Sequence, residues 1–260
     1  MSKVSKVFQP NRKALIAYIT TGYPDLDTTL KVVPLLAETG CDLIELGIPF
    51  SDPLADGVTI QNASHRALQN GINVIKCLET AGKLAYIVKI PLVFMTYYNP
   101  VMHYGLERFC KDASEAGVGG LIVPDLPPEE GDELEQCTSK HDIDLVYLLA
   151  PNSTEERIRL VATRARGFIY LVSLTGVTGA RNSLSEDLPL FIQRVRKYAR
   201  QPLCVGFGIS NPEQAAQVAL HADGVIIGSK IIQLMETDQS LLKVGNFIKS
   251  VRKALDAIQT

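Results

Sequence analysis

The chain has 260 residues, 46% of them hydrophobic, and its 26 Lys and Arg against 28 Asp and Glu leave a net charge of −2. That balance, without a long run of one sign, argues against nucleic acid or a polyanionic surface as the main partner. No apolar run approaches the ~20 residues of a membrane span, and the start, Met-Ser-Lys-Val-Ser-Lys-Val-Phe, has no apolar signal core.

The five cysteines (Cys41, Cys77, Cys110, Cys137, Cys204) are odd in number, far apart and without a Cys-x-x-Cys spacing. They predict free thiols in a reducing compartment, the cytoplasm by expectation, rather than disulfides or a zinc site.

Residues 1–12 read as a polar lead-in with a short extra helix. Ala14–Thr20 is an apolar strand, turned by Gly22-Tyr23-Pro24-Asp25, and Asp27 or Thr28 is placed to cap the helix that follows and ends at Gly40. A second strand starts at Leu43 and breaks at Gly47, Pro49 and Pro53 into a loop carrying Asp52 and Asp56. Helices are predicted at about 59–69 and 74–88. The third strand, Pro91–Tyr97, is followed by a Tyr98-Asn99-Pro100 turn and a helix to Glu115. The fourth is Gly119–Val123, with a helix over about 129–140, and the fifth is Asp144–Leu149.

Ser153-Thr154-Glu155-Glu156 is a capping box that opens a helix to Ala165. Phe168–Val172 is the sixth strand, and Ser173–Leu188 reads as a mobile loop before a helix to about Tyr198. Leu203–Gly206 is the seventh strand. Asn211-Pro212-Glu213-Gln214 supplies an N-cap, a Pro at N1 and a Gln at N3 for the next helix. Asp223–Ile227 is the eighth strand, Gly228-Ser229 opens a short helix, and the last helix covers Leu241–Ile258.

Eight buried strands alternating with helices imply parallel pairing, and eight such units in one domain over residues 1–260 match a closed (β/α)8 barrel. The alternative, a doubly wound open sheet, usually carries a nucleotide fingerprint after its first strand, and none is present.

In the second strand Leu43, Glu45 and Gly47 share one face, and Ile44, Leu46 and Ile48 share the other. A strand apolar on both faces is buried on both, so Glu45 points into protein. A structural ion pair is one reading. No Lys or Arg lies between Lys31 and Arg66, however, so no local cation is on offer. The position before an acidic loop favours a tuned general acid/base.

Barrel chemistry sits at the carboxyl ends of strands. Those ends carry Tyr18 to Thr20, Glu45 with Asp56, Tyr97 with Asn99, Asp125, Tyr170, Phe207-Gly208 and Gly228-Ser229. Glycines after strands seven and eight, the second opening a helix, are how this fold usually holds a phosphate, although tight turns also use them. Asp52 and Asp56 suit either a metal or a Pro/Gly turn. No Lys lies within strands two to eight, and the four His residues lack metal-ligand spacing. Carbon–carbon cleavage at such a site needs a substrate that supplies its own electron sink.

The stretch Leu43–Asn62 resembles the signature of the tryptophan synthase alpha chain family. So do Thr96-Tyr97-Tyr98-Asn99-Pro100, Pro124-Asp125-Leu126-Pro127, Gly176-Val177-Thr178-Gly179, Gly206-Phe207-Gly208-Ile209 and Gly228-Ser229, in family order. The resemblance implies a barrel lyase that splits indole-3-glycerol phosphate into indole and glyceraldehyde 3-phosphate by a retro-aldol step, with indole as the electron sink. It assigns Glu45 as the acid/base, Asp56 as the stabiliser of positive charge at the indole N–H, and Tyr170 as a neighbouring active-site tyrosine.

By the same resemblance Gly179, Gly208, Gly228 and Ser229 match the phosphate site, and Thr178 meets Asp56 when the loop closes; Phe207 and Tyr97 are expected to bind substrate from their places at strand ends. Tyr18 stands where the family often has Phe, so its hydroxyl needs a partner. No cofactor is expected in this chain. Pyridoxal phosphate is expected only in a partner beta chain, within an alpha2beta2 complex, touched by the loop with Pro49, Phe50 and Asp52. A free-standing lyase and a non-catalytic activating subunit are the other readings, and intact Glu45 and Asp56 argue against the second.

Overall fold

Every residue of β1 (Ala14–Thr20), β2 (Leu43–Gly47) and β3 (Leu92–Met95) is buried, as strands covered on both faces must be. The computed structural model describes residues 2–172, 187–206 and 208–258. Within them follow β4 (Gly120–Ile122), β5 (Asp144–Val146), β6 (Leu148–Leu149), β7 (Ile169–Val172), β8 (Leu203–Gly206) and β9 (Gly224–Ile227). They form one sheet in the order β5-β4-β3-β2-β1-β9-β8-β7-β6. Every strand pairing is parallel.

The two ends of that sheet are successive halves of one strand. Only Tyr147 separates β5 from β6, and its carbonyl accepts from the Tyr170 N–H at 3.0 Å. The sheet is thus the ring of the expected (β/α)8 barrel, and the unbroken fifth strand expected over Asp144–Leu149 is corrected to two pieces. The strand changes neighbour at Tyr147, from β4 to β7, and the Tyr147 hydroxyl donates to Glu135 at 2.6 Å.

The helices sit where the apolar periodicity put them, with local corrections. α1 (Leu26–Thr39) is capped by Asp25, whose carboxylate accepts from the Thr28 N–H, and not by Asp27 or Thr28. Asp25 still has extended backbone, φ −157° and ψ 171°, as an N-cap requires. α2 (Val58–Gln69) and α3 (Val74–Ile87) stand as expected. The single helix expected up to Glu115 is α4 (Tyr98–Tyr104) and α5 (Leu106–Glu115), broken at Gly105 with φ 95°. A 3-10 turn precedes α6 (Asp132–Lys140).

α7 (Glu155–Arg164) is capped by Thr154, one residue later than the expected box, because the Ser153 hydroxyl instead accepts from the Ala150 N–H at 3.0 Å. α8 (Asp187–Arg196) takes in Asp187 and Leu188, the end of the stretch expected to be loop. α9 (Pro212–Ala219) has the expected cap, Asn211 accepting from the Gln214 N–H at 2.8 Å. α10 (Ser229–Thr237) and α11 (Leu242–Asp256) complete the chain.

The expected N-terminal helix is one 3-10 turn, Ser5–Val7. The residue before it, Val4, is fully buried. Its side chain lies against Gly119, Gly120 and Gly167, beside β4, β5 and β7, and Ser2 donates to the Asp144 carboxylate. This segment packs against the amino ends of those strands, opposite the acidic loop.

Candidate active site

Parallel register aligns the inward side chains in rows. Tyr18 lies beside Glu45, and Glu45 beside Val93. One step nearer the carboxyl ends come Thr20, Gly47 and Met95. Directly paired residues project to the same face of a sheet, so Tyr18 and Glu45 enter the barrel together.

Glu45 is wholly inaccessible to water, and neither carboxylate oxygen has a hydrogen-bond partner. Among the described residues no salt bridge reaches it, so none of them makes it a structural ion pair. Burial pushes its carboxyl up to about 8, so at neutral pH it is mostly protonated. An unsatisfied buried acid is costly to a fold, and groups perturbed in this way cluster at functional sites.

Asp56 comes from the loop between β2 and α2. Its N–H donates to the Pro53 carbonyl at 3.1 Å, and its own carbonyl accepts from Gln61 Nε2 at 2.9 Å, which pins the residue without using its carboxylate. Gly57, not Asp56, is the N-cap of α2. Asp56 Oδ1 is buried and unpartnered. Burial raises this carboxyl to about 6, and the Tyr97 hydroxyl beside it pulls the other way. Glu45 and Asp56 therefore differ in charge near neutrality, one an acid and the other an anion.

Tyr18 and Tyr170 are buried within the fields of both acids, and both phenols are raised well above their ordinary range, chiefly by burial. Both stay neutral. The Tyr18 hydroxyl finds its partner in Thr20 Oγ1 at 3.4 Å. Two glycines make room for these rings: a Cβ on Gly47 would lie 2.3 Å from Tyr18 Oη, and one on Gly206 would lie 2.1 Å from Tyr170 Oη. Neither glycine is legible as a space-maker in the sequence, since the ring it accommodates lies 29 residues away for Gly47 and 36 for Gly206.

Tyr18, Asp56, Met95, Tyr170, Gly208 and Ser229 are among the residues lining a cleft of about 140 Å³ at the carboxyl ends of the strands. Gly228 also lines it, as do Ser210 and Lys230. Gly208 has φ 80°, a conformation that favours glycine, and Gly228 caps α10 without any side chain bonded across the helix end. The first N–H groups of α10 thus face the cleft mouth without a side-chain acceptor.

Tyr97 is not among the cleft's walls. Its hydroxyl accepts from the Ala55 N–H at 2.9 Å and its ring packs on Phe50 at 5.3 Å, so it holds the acidic loop and reaches the site through Asp56. Asp125 is a cap: its carboxylate accepts from the Tyr98 N–H at 2.9 Å. Asp52 is exposed and bonded to Ser51. Among the described residues no three His, Cys, Asp or Glu gather as a metal site would require. The expected Thr178, Gly179 and Phe207 lie outside the described residues.

The fold and this cleft define a (β/α)8-barrel enzyme. Its sequence matches the family model of the tryptophan synthase alpha chain over residues 4–258. It is 59% identical to the tryptophan synthase alpha chain of Dehalococcoides mccartyi, over 98% of this chain and 100% of that one. Against the alpha chain of Geobacter sulfurreducens identity is 48%, over 98% and 99%. The crystal structure of tryptophan synthase subunit alpha from Legionella pneumophila superposes with a TM-score of 0.92 at 36% identity, over 99% of this chain and 100% of that one.

The chain belongs to the tryptophan synthase alpha chain family. It is a carbon–carbon lyase of tryptophan biosynthesis, and the family's alpha reaction is the cleavage of indole-3-glycerol phosphate. Alpha chains of this family work with a beta chain, which holds the pyridoxal phosphate, and need no cofactor of their own. Among the described residues no helix is long and apolar enough to cross a membrane.

Proposed function

We propose that Glu45 carries the proton transfers of the alpha reaction in this chain. The observation that supports this most is its carboxyl group, fully buried on the barrel's inner face without a hydrogen-bond partner and held protonated at neutral pH. Glu45 donates its proton to indole C3, and the ring nitrogen takes up positive charge. The Asp56 carboxylate stabilises that charge. The glycerol hydroxyl next to the ring then loses its proton to the Glu45 carboxylate. As that carbon becomes the carbonyl of glyceraldehyde 3-phosphate, the electrons of the breaking carbon–carbon bond return to the ring and restore indole.

Tyr18, Tyr170 and Met95 form the walls against which the indole packs. The phosphate sits at Gly208, Gly228 and Ser229, where a helix N-terminus presents N–H groups to an anion. The residues that meet a beta chain are Asp52 and Leu54 of the acidic loop and Val58 at the start of α2. Leu54 is 93% exposed and Val58 is 70% exposed, whereas Pro49 is buried and Phe50 lies half-buried against Tyr97. We place the chain in a reducing compartment such as the cytoplasm, a reading supported by five free cysteines, four of them buried.

The test is indole release from indole-3-glycerol phosphate by the purified chain, with and without a tryptophan synthase beta chain. Slow release that rises sharply with the partner is expected, and Leu54→Glu is expected to weaken that stimulation. Fast release indifferent to a beta chain would make this a free-standing lyase. No release from a folded protein would overturn the assignment of Glu45.

A further inference from the structure

We infer that Lys230 is the cation that engages the phosphate dianion and makes this cleft select phosphorylated over unphosphorylated ligands. The inference deepens the placement of phosphate at Gly208, Gly228 and Ser229 and rests on it. Lys230 is the second residue of α10 and lines the cleft together with those three. Among the described residues it is the only Lys or Arg on the cleft wall.

Its position is otherwise unfavourable. The amino end of a helix carries partial positive charge, so a Lys in the first turn is opposed by the helix it belongs to. No acidic residue in that turn compensates it. The ammonium group has neither a hydrogen bond nor an ion pair with any described residue, although the side chain is only partly exposed. Two arginines are matched, Arg252 with Asp42 and Asp256 and Arg164 with Asp132 and Glu135, whereas Lys230, like Lys76, has no acid of its own among the described residues; only Lys230 of these stands on the cleft wall.

A phosphate dianion at the α10 terminus changes the sign of this arrangement. It would meet helix N–H groups and an ammonium together, in a partly enclosed cleft where such contacts are stronger than in water. Asp56 lines the same cleft, and its carboxylate would repel a dianion placed beside it. A cation at the α10 end fixes the phosphate there, which orients the ring end of the substrate toward Asp56 and Glu45. Lys230 is therefore a binding and orienting residue, with no part in proton transfer.

Titration of the full chain with glycerol 3-phosphate, and with indole as an uncharged probe, tests this. Lys230→Gln is expected to weaken glycerol 3-phosphate binding tenfold or more, to flatten its dependence on salt, and to leave indole binding within twofold. Lys230→Arg is expected to retain most of the affinity. In the cleavage assay the loss in Lys230→Gln is expected in KM far more than in kcat.

Glycerol 3-phosphate binding within twofold of wild type in Lys230→Gln would overturn the inference and leave the phosphate site standing. Equal loss for indole would also overturn it, since the variant would then have distorted the cleft. Failure of the wild-type chain to bind glycerol 3-phosphate at all would remove the phosphate site and the role of Lys230 together.

Discussion

The Tyr170 hydroxyl stands in the space that a side chain at position 206 would claim, with a Cβ on Gly206 falling 2.1 Å from Oη and 2.5 Å from Cζ. The two residues lie on neighbouring strands, β7 and β8, and Tyr170 reaches up beneath the end of its neighbour. Gly206→Ala is expected to displace the ring and destabilise the fold by about 1–3 kcal/mol, the usual cost of overpacking. Tyr170→Phe does not relieve the clash, because the ring carbons themselves lie at 2.5 and 2.7 Å. Denaturation midpoints of the single and double variants check this. A double variant as stable as Tyr170→Phe alone would contradict it.

The pH profile of cleavage should be a bell. Asp56, raised to about 6, must be ionised to stabilise the cation, so the rate climbs through that value. Glu45, raised to about 8, must be protonated to donate, so the rate falls beyond it. A profile of kcat/KM with both limbs near these values is the expected result, and an alkaline limb that survives in Glu45→Gln would belong to another group.

Removing the acid should separate activity from stability. Glu45→Gln is expected to lower kcat by a factor of about 10²–10⁴, the range for loss of a general acid/base. It should also stabilise the chain at alkaline pH. The unfolded chain ionises Glu45 near its ordinary 4.5, and the folded chain holds the proton to about 8. The stability that comes from keeping the group neutral is complete below 4.5 and is lost as pH rises through 8. Gln never ionises and escapes that loss. Unfolding curves of the two proteins are expected to differ far more at pH 9 than at pH 5.

Tyr97→Phe acts on the site through the loop. It deprives the Ala55 N–H of its acceptor and Asp56 of the hydroxyl that lowers its carboxyl. The acid limb of the pH profile is expected to move upward, and the activity at pH 6 to fall more than that at pH 8. An unmoved limb would detach Tyr97 from Asp56.

The inward set Leu43, Glu45 and Gly47 was legible because strand alternation is local, and the eight-unit barrel because its strands are apolar throughout. The Gly228-Ser229 opening of α10 was legible because glycine before a helix is a local signal as well. The roles of Gly47 and Gly206 depend on rings from other strands, which no window of sequence contains. Asp125 looked like a site residue by position at a strand end, yet its carboxylate is spent on the Tyr98 N–H across the gap to α4. Thr154 displaced Ser153 as cap because the Ser hydroxyl had a nearer use in the preceding turn. Leu54 escaped notice because an isolated apolar residue in a loop carries no periodicity.

Val4, fully buried against three glycines at the amino ends of the strands, stoppers the barrel from below. Among the described residues the cleft opens at the opposite face. Substrate arrives at that face, which bears the acidic loop and the first turn of α10. The ring therefore enters ahead of its phosphate tail, and after cleavage glyceraldehyde 3-phosphate lies nearer the opening than indole does.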